Sequence, residues 1–403
     1  MTWGDTNYGG DSSAVSTKNL TFITGSKFGY LSYNEYTSDL VEWGDYSACS
    51  ASTKEVLKSD NIAISNIIAN ERAFAILRSD GSVLTCGEDI CGGNASSSSY
   101  IYNTYLSGNI KSVIATSCAF AALYNDGSIY TWGDSNVGAS GVVVYGPFAD
   151  IYATRGAFSA LAKDGSVYSW GHSLYGGDQS NYASDLTRDI AYIASTSRAF
   201  VAMKRDRTLI TWGDYTVGGA QDIFAFTRKT TYLGGSSVGM AAVFSTGQVA
   251  SWGDYENNMG ISSFYSDITN ADRIFGNNRA FAILLDDKTV KTFGHDASGG
   301  DSSSVTADLT DVTWIYTTHR AFAALKEDGT VVTWGAAAWG GDSSAVQSSL
   351  TNVIKICSNE AAFYAIRSVT DQLGSNVVAW GNSYLGGDAS GVQASLVGIT
   401  DCN

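Results

Sequence analysis

The sequence predicts an all-β protein: a β-propeller of about nine short blades, each with three to four strands. First, a Trp-Gly pair, or its Cys-Gly or Phe-Gly counterpart, recurs every 38 to 46 residues along the 403-residue chain. Second, each recurrence closes the same pattern of an apolar run, a turn and an alternating run, as in AFAALKEDGTVVTWG at 321–335. A self-similar period of about 40 residues is typical of propellers and solenoids.

Each repeat opens with a lead strand of mainly aliphatic residues, such as Val113 to Ala115 or Val353 to Ile356. A middle strand follows, in which Phe is embedded among Ala, Leu and Ile, as in AFAIL. Phe and Leu of such a run point to opposite faces, and a strand that is apolar on both faces is typical of one sandwiched between neighbouring sheets. Small Ala at the other positions lets those sheets approach to about 10 Å. Burying each large side chain contributes roughly 1.5–3 kcal/mol, which predicts a large core.

The middle strand ends at a turn whose consensus is Asp-Gly, found at Asp80, Asp126, Asp164 and Asp328. Asp-Gly between apolar runs predicts a tight hairpin in which both central residues have positive φ. The third strand alternates β-branched or aromatic residues and ends at Trp-Gly, where the glycine permits a bulge or a close backbone approach. The Gly-Gly-Asp-Ser-Ser segment that follows predicts a turn with a residual fourth strand.

The combined pattern resembles the repeat of the regulator-of-chromosome-condensation family. It consists of Asp-Gly-x-Val-x-x-Trp-Gly, a Gly-rich turn and a lead strand of the form Val-x-x-Ile-x-Ala. The short period is more similar to the propeller-type β-lactamase inhibitor proteins, whose blades are trimmed versions of that repeat. The resemblance covers essentially the whole chain and implies a β-propeller used as a protein-binding surface. Members of those families usually have fewer blades than the nine full units found here.

We assign residues 1–403 to a single repeat domain. The predicted repeats span 5–44, 45–87, 88–133, 134–171, 172–213, 214–253, 254–294, 295–335 and 336–381, with a partial repeat formed by 382–403 and 1–4. The partial repeat lacks its middle strand. Three explanations are open: a ring that closes imperfectly around nine blades, a strand supplied by a neighbouring subunit in head-to-tail assembly, or a fragment of a longer array.

Charge and composition restrict the partners. Charged residues make up 16% of the chain and the net charge is −15, so the surface should repel nucleic acid and anionic lipid. Low charge with abundant Ser, Gly, Thr and Tyr suits an extracellular or virion-surface protein. The absence of a transmembrane run and a signal peptide fits a mature extracellular chain and equally a cytoplasmic one. We expect a protein partner or self-assembly, with a glycan as a further candidate ligand, no membrane insertion and no cofactor.

Six cysteines are present, and their spacing matches no metal site: Cys49, Cys86, Cys91, Cys118, Cys357 and Cys402. Cys86 and Cys91 flank a turn and could form a disulfide with each other. The alternative is that the cysteines are small buried hydrophobic residues.

Two sets of charged residues occupy equivalent repeat positions. Arginines directly precede Ala-Phe at Arg72, Arg198, Arg279 and Arg320. Carboxylates directly follow Trp-Gly at Asp5, Asp45, Asp134, Asp214 and Asp254. We predict Arg–Asp pairs within or between blades, which would fix the strand register through charge-assisted hydrogen bonds. The alternative is solvated charges at strand ends.

Further aspartates lie in the Gly-Gly-Asp turns, at Asp11, Asp178, Asp301, Asp342 and Asp388. Oxygen-rich turns can hold calcium. More often such an aspartate caps the turn through Asx hydrogen bonds. We therefore expect no resident metal and keep these residues as weak calcium candidates.

The three histidines, His172, His295 and His319, do not predict an active site. His172 and His295 follow the Trp-Gly or Phe-Gly pairs of distant repeats, and no Ser-His-Asp, Cys-His or metal-ligand cluster follows from the spacing. We assign no catalytic residue and expect no enzyme. The tryptophans of the Trp-Gly pairs are predicted to pack within and between blades.

The leading functional hypothesis is a non-enzymatic propeller that acts as an extracellular structural or adhesive scaffold and self-assembles head to tail by strand addition. The alternative is a discrete protein-binding or inhibitor module that uses loops on one propeller face. Candidate contact residues for such a module are Tyr100, Tyr102, Tyr105, Phe264 and Tyr265. A glycan-active enzyme is the least favoured hypothesis.

Overall fold

In the computed structural model, nine antiparallel sheets follow one another along the described chain, one for each predicted repeat. The structure describes residues 22–34, 37–44, 49–59, 62–94, 108–141, 143–219, 228–253, 263–265, 268–368 and 376–390. We number the sheets 1 to 9 in chain order. Within these residues the prediction of an all-β fold with short three- to four-stranded sheets is confirmed.

The strands, sheet by sheet, are β1 (Phe22–Gly25), β2 (Gly29–Asn34) and β3 (Asp39–Gly44) in sheet 1; β4 (Ile64–Ala69), β5 (Ala73–Arg78) and β6 (Val83–Gly87) in sheet 2; β7 (Ile110–Ala115), β8 (Ala119–Tyr124), β9 (Ile129–Gly133) and β10 (Val143–Val144) in sheet 3; β11 (Phe148–Ala153), β12 (Ala157–Ala162) and β13 (Val167–Gly171) in sheet 4; β14 (Ile190–Ser195), β15 (Ala199–Lys204) and β16 (Leu209–Gly213) in sheet 5; β17 (Thr230–Gly235), β18 (Gly239–Phe244), β19 (Val249–Gly253) and β20 (Ser263–Tyr265) in sheet 6; β21 (Ala271–Gly276), β22 (Ala280–Leu285) and β23 (Val290–Gly294) in sheet 7; β24 (Val312–Thr317), β25 (Ala321–Lys326) and β26 (Val331–Gly335) in sheet 8; and β27 (Val353–Ser358), β28 (Ala362–Arg367) and β29 (Val377–Gly381) in sheet 9.

Each sheet keeps the chain order of its strands, with the middle strand paired to the lead strand on one side and to the third strand on the other. In sheet 8, Phe322 lies opposite Thr317 of the lead strand and Trp334 of the third strand. The predicted fourth strand occurs in sheets 3 and 6, where β10 and β20 pair antiparallel with the third strand. In sheets 4 and 8 the equivalent segment forms 3-10 turns instead, at Ser180–Tyr182 and Gln347–Ser349.

The Asp-Gly hairpins differ from the prediction in one respect. Gly329 has a φ of +76°, whereas Asp328 is not among the residues with positive φ. Gly329 N–H donates to the carbonyl of Lys326, and Lys326 N–H donates to the carbonyl of Thr330. This three-residue loop needs one left-handed residue only, so the prediction of positive φ at both central residues is wrong.

Apolar clusters fill the space between consecutive sheets from sheet 1 to sheet 4 and from sheet 6 to sheet 9. Between sheets 7 and 8, Ala282 and Leu284 of β22 share a cluster with Phe322 of β25. Leu325, on the opposite face of β25, shares the next cluster with Phe363 of sheet 9. Phe322 and Phe363 are both fully buried. The middle strand therefore buries Phe against the preceding sheet and Leu against the following one, as its sequence predicts.

One α-helix was not predicted: α1 (Ala51–Ser59), between sheets 1 and 2. The hydroxyl of Ser50 accepts a hydrogen bond from the Thr53 N–H and so caps the helix N-terminus. Leu57 is fully buried beneath the helix, and Lys58 pairs with Asp39 at 2.7 Å. The polar run that contains these residues has an N-cap and one buried apolar residue, which suffice for a short helix docked on a sheet.

Contacts divide the chain into two compact units, one within residues 6–202 and one within 203–402. The first unit holds sheets 1 to 4 and the second holds sheets 6 to 9, and the division falls inside β15 of sheet 5. The prediction of a single repeat domain stays a prediction. None of the described helices has the length and apolar character needed to cross a membrane.

Candidate functional site

An open cleft of about 840 Å³ lies alongside strand β26 in the second unit. Its walls are formed by residues between 296 and 308, which follow sheet 7, and by residues between 341 and 347, which follow sheet 8. Four carboxylates line it against one lysine, Lys326: those of Asp296, Asp301, Asp308 and Asp342. We call this site the β26 cleft. Its charge favours a cationic ligand over an anionic one.

The floor of the β26 cleft is apolar. Val305 and Val332 line it, and both are partly buried against the core cluster between sheets 7 and 8. The four carboxylate residues at the rim are exposed. The cleft therefore offers an apolar strip along a strand edge, flanked by negative charge.

A chain of side-chain hydrogen bonds fixes one wall of the cleft to β26. The hydroxyls of Thr333 and Ser343 lie 2.9 Å apart, and Ser343 donates to Gln347 Oε1 at 2.8 Å. Gln347 Nε2 in turn donates to the carbonyl of Val331 at 3.0 Å. Because the amide is held at both its oxygen and its nitrogen, the loop after sheet 8 is anchored beside the edge of the strand.

In sheets 3, 4, 6, 8 and 9 the tryptophan of the third strand bonds to the turn after the preceding sheet. Trp334 stacks on Phe322 of its own sheet with ring centroids 5.1 Å apart. Its indole N–H donates to the carbonyl of Gly299, in the turn after sheet 7, at 3.1 Å. The same bond joins Trp132 to Gly92, Trp170 to Gly138, Trp252 to Gly218 and Trp380 to Gly340. These bonds agree with the prediction that the tryptophans pack within and between blades.

The glycine after this tryptophan is required by a close approach. Gly335 has a φ of +102°, and a Cβ added there would lie 2.6 Å from the carbonyl oxygen of Arg320. The predicted close backbone approach is therefore confirmed at this position.

A second recurring contact was missed by the sequence analysis. Thr318 accepts from the Ala321 N–H and donates to the carbonyl of Trp339 at 2.7 Å, which ties the start of the middle strand to the turn after the third strand. Asn277 makes the equivalent bond to the carbonyl of Ser298 at 2.6 Å. The signal in the sequence was a Thr or Asn three residues before the middle strand.

The position after Trp-Gly caps a 3-10 turn. The carboxylates of Asp134 and Asp214 accept from the backbone N–H two residues on, at 2.8 and 2.9 Å. In sheet 4 the same role falls to His172, whose Nδ1 accepts from the Leu174 N–H at 3.2 Å. Aspartate and histidine share this position because both offer an acceptor at the same reach. Asp5, Asp45 and Asp254 lie outside the described residues.

The arginines before Ala-Phe have different partners. Arg72 pairs with Glu88 at 2.5 Å, and Glu88 is the residue that directly follows Cys86-Gly87. The Arg320 guanidinium lies over the Trp339 ring, 5.4 Å from its centroid. Arg198 and Arg279 also have contacts with neighbouring groups. The structure thus brings Arg72 to a carboxylate in the predicted position and Arg320 to an aromatic ring.

The aspartates of the Gly-Gly-Asp turns act as Asx caps. Asp178, Asp301, Asp342 and Asp388 each accept from a serine N–H two residues on, at 2.8 to 2.9 Å. In Asp301 and Asp342, the backbone and side-chain hydrogen bonds of that serine hold the carboxyl pKa below its usual value. No group of three or more His, Cys, Asp or Glu among the described residues could hold a metal ion. Asp11 lies outside the described residues.

The cysteines form disulfides between consecutive sheets. Cys49, after sheet 1, is bonded to Cys86 of sheet 2, and Cys91, after sheet 2, is bonded to Cys118, which lies between β7 and β8 of sheet 3. The predicted Cys86–Cys91 disulfide is wrong because the two side chains point to different interfaces. Cys86 packs with residues of sheet 1, whereas Cys91 packs with residues of sheet 3. Cys357 is also disulfide-bonded.

Of the five predicted contact residues, two lie within the described residues. Tyr100, Tyr102 and Tyr105 lie outside the described residues, and Phe264 and Tyr265 belong to β20, whose backbone pairs with β19. Large exposed side chains instead occur in the 3-10 turns after the third strands. We call them the turn tips: Ile90, Leu174 and Tyr215, each 66% exposed, and Tyr384, 75% exposed.

Comparison with known proteins gives structural neighbours only. No protein-family profile and no curated protein matches the chain. Similar solved structures include the ectodomain of the Physcomitrella patens receptor kinase CR4 (12% identity, 66% of this chain and 70% of that chain, TM-score 0.38). They also include yeast RCC1 (Prp20) bound to Kap60 (11%, 73% and 78%, TM-score 0.37) and BamB from Moraxella catarrhalis (13%, 79% and 98%, TM-score 0.35). The closer likeness to β-lactamase inhibitors stays a prediction. The nine short antiparallel sheets confirm the predicted fold class.

Proposed function

We propose that this chain is a non-enzymatic scaffold that binds a protein partner through the turn tips and acts in an extracellular or virion-surface setting. The observation that carries the proposal is that the 3-10 turns after the third strands have a constant frame of hydrogen bonds but variable exposed residues. In sheet after sheet the same turn is held by the same kinds of contact, while the residue at its outermost point changes.

The frame is well fixed. The turn after sheet 4 is capped by His172, and its terminal carbonyl, that of Tyr175, accepts from Thr154 at 2.9 Å. Between these two anchors Leu174 extends into solvent with 66% of its surface exposed. A rigid backbone that presents an apolar side chain lowers the entropy lost on binding, which favours recognition.

The tips differ in chemistry from turn to turn. At the second position of the turn, Ile90, Leu174 and Tyr384 are large, whereas Ala297 and Ala338 are small. Single exposed apolar residues are common on protein surfaces. Ile90, Leu174 and Tyr384 recur at this one structural position, and Tyr215 lies at the position before it in its own turn. This recurrence supports a binding role, and aromatic anchors such as Tyr are enriched where proteins bind proteins.

The disulfides support the extracellular setting. Bonds between Cys49 and Cys86 and between Cys91 and Cys118 persist in oxidising compartments and are rare in the cytosol. The predicted mature extracellular chain is therefore favoured over a cytoplasmic one.

The acidic residues of the β26 cleft support a non-enzymatic role. A general acid at neutral pH needs a carboxyl group whose pKa is raised by burial or by a like charge. Hydrogen bonds from Ser303 and Ser344 do the opposite, because they lower the pKa values of Asp301 and Asp342. Both carboxylates are thus kept ionised, which suits binding of cations rather than proton transfer.

Head-to-tail self-assembly by strand addition is the finer form of this proposal. It concerns residues 1–21 and 391–403, which lie outside the described residues. Light scattering coupled to size-exclusion chromatography tests it directly. Oligomers that grow with protein concentration would support assembly, and a monomer at all concentrations would leave partner binding as the function.

The binding role is tested with a tip variant that combines Ile90→Ser, Leu174→Ser, Tyr215→Ser and Tyr384→Ser. The matched control combines Asn136→Ser, Ala297→Ser and Ala338→Ser, which alter the equivalent turns after sheets 3, 7 and 8, where the second residue is small or polar. Proteins from the extracellular fluid of the source are captured on wild type, control and tip variant, and then quantified by mass spectrometry. We expect a partner retained by wild type and control and reduced more than tenfold on the tip variant, since each anchor is worth about 1 kcal/mol or more. Equal retention by all three proteins would refute the proposal.

A further inference from the structure

The outer edge of β26, the third strand of sheet 8, borders the β26 cleft and is only partly covered. Lys326 N–H donates to the carbonyl of Thr330 across the hairpin, which sets the alternation of the antiparallel pair. In that alternation the backbone groups of Val331 and Thr333 point away from β25 and toward the cleft. The hydrogen bond from Gln347 Nε2 to the carbonyl of Val331 agrees with this direction.

Two other sheets of this chain fill the equivalent edge with a fourth strand. In sheet 6, Ser263 and Tyr265 of β20 pair with Ser251 and Val249, which correspond to Thr333 and Val331 in the repeat. In sheet 3, the two-residue strand β10 pairs antiparallel with β9. An added strand of two to three residues is therefore compatible with this sheet geometry.

Sheet 8 fills the edge only in part. The side-chain amide of Gln347 donates a hydrogen bond to the Val331 carbonyl, as a backbone N–H of a fourth strand would. The backbone N–H of Thr333 donates no hydrogen bond to another described segment, and its C=O accepts none from one. Thr333 lines the cleft and is 9% exposed, whereas its counterpart Ser251 in sheet 6, which β20 covers, is 0% exposed.

The walls select the side chains of such a strand. Asp301, in the segment after sheet 7, and Asp342, in the segment after sheet 8, line the cleft together with Asp296 and Asp308. Val332, beside the edge, presents an apolar surface that suits β-branched residues.

We propose that the β26 cleft binds an extended, basic segment of a partner protein, which adds to β26 as an antiparallel fourth strand. Backbone hydrogen bonds to Thr333 give the register, and lysine or arginine side chains pair with the rim carboxylates. The inference deepens the proposed function, on which it rests, by naming a second contact and its partner chemistry.

The experiment uses the full chain and a fluorescein-labelled peptide Lys-Val-Lys-Val-Lys with blocked ends, followed by fluorescence anisotropy at low salt. We expect saturable binding below 1 mM that weakens as salt increases. Two N-methylated peptides test the backbone: methylation of residues 1, 3 and 5, or of residues 2 and 4. One of the two should lose at least tenfold in affinity and the other should bind like the parent, because alternate N–H groups face the edge.

Protein variants test the location. Asp301→Asn with Asp342→Asn keeps both Asx caps, since the amide oxygen still accepts, and should weaken binding at least fivefold. The matched control, Asp178→Asn with Asp388→Asn, changes the same turns elsewhere and should bind normally. Gln347→Ala frees the Val331 carbonyl and should strengthen binding severalfold.

Three results would overturn the inference: no binding at 1 mM, binding that neither N-methylated peptide weakens, or equal losses in the two Asp→Asn pairs. If the tip experiment still shows its partner under any of these results, only the strand-addition site is wrong. Loss of the effect in both experiments would refute the proposed function as well.

Discussion

Sheets 2 and 8 are joined to their preceding sheets through the same position of the third strand, but by different contacts. In sheet 8 the third strand carries Trp334, whose indole reaches back to Gly299 in the turn after sheet 7. In sheet 2 the equivalent position is Cys86, which reaches back to Cys49 after sheet 1 through a disulfide. Both side chains are buried against the preceding sheet. This position of the third strand therefore joins its sheet to the preceding sheet, and either an aromatic ring or a covalent bond can make the connection.

Sheet 7 has a third kind of contact at this position. Its third strand carries Phe293, which stacks on Phe281 with centroids 5.2 Å apart but has no N–H to donate. The three sheets separate the contributions of covalent linkage, hydrogen bonding and ring packing at one repeated position. The predictions below probe these contributions from the largest expected effect to the smallest.

Trp334→Ala should have the largest effect. It removes a side chain that is 3% exposed, its stacking on Phe322 and its bond to Gly299, so we expect a loss of about 3–5 kcal/mol in unfolding free energy. The measurement is the urea midpoint followed by circular dichroism. The matched control is Trp314→Ala, at a tryptophan that is 39% exposed, where the loss should be much smaller. Equal shifts in the two variants would contradict the role of the Trp-Gly position.

Removing the disulfide of sheet 2 should come next. We expect Cys49→Ala with Cys86→Ala to cost about 2–4 kcal/mol, because the unfolded chain is no longer closed into a loop. Urea midpoints are measured without reductant. A reductant should then lower the midpoint of wild type more than that of the variant, and identical responses would show that the bond does not stabilise this region.

Trp334→Phe should destabilise the protein less than Trp334→Ala, since it gives sheet 8 the phenylalanine that sheet 7 has at this position. The ring stacking on Phe322 is kept, and only the indole N–H to Gly299 and part of the ring are lost. We expect about 0.5–1.5 kcal/mol for the hydrogen bond, with a smaller packing loss in addition. A midpoint as low as that of Trp334→Ala would mean that ring size, rather than the presence of a ring, sets the stability.

The smallest effect concerns the hairpin at Asp328. Hydrogen bonds from the Thr330 side chain and backbone N–H hold the Asp328 pKa below its ordinary value of 3.8. A carboxyl with a depressed pKa in the folded state stabilises the protein above its unfolded pKa, and this stabilisation is lost as the pH falls through the folded value. Asp328→Asn should therefore lower the melting temperature slightly at pH 7, and this difference should become smaller below pH 3.8, for example at pH 3. A difference of the same size at both values would argue against the ionised cap.

Much of the frame could be predicted from the sequence because it repeats. Each AFAxL run fixes two buried faces at once, so the faces of Phe322 and Leu325 follow from strand periodicity alone. The turn position of Gly329 was also predictable, although its partner Asp328 took a different φ from the one expected. Local rules sufficed wherever every neighbour obeys the same pattern.

The remaining features depend on how particular sheets meet. The disulfide partner of Cys86 was decided by the face on which it lies, since Cys91 is nearer in sequence but packs against another sheet. The β26 cleft is lined by Asp301 and Asp342, which belong to different repeats. Pairings across sheets are not contained in the local pattern of one repeat.

The two disulfides also determine how the chain carries mechanical load. A pull along the backbone passes from Cys49 straight to Cys86, then from Cys91 straight to Cys118. Strands β4, β5 and β7 lie inside the two closed loops and bear none of that tension. While the disulfides are intact, tension on the chain therefore cannot extend the segments that form these three strands.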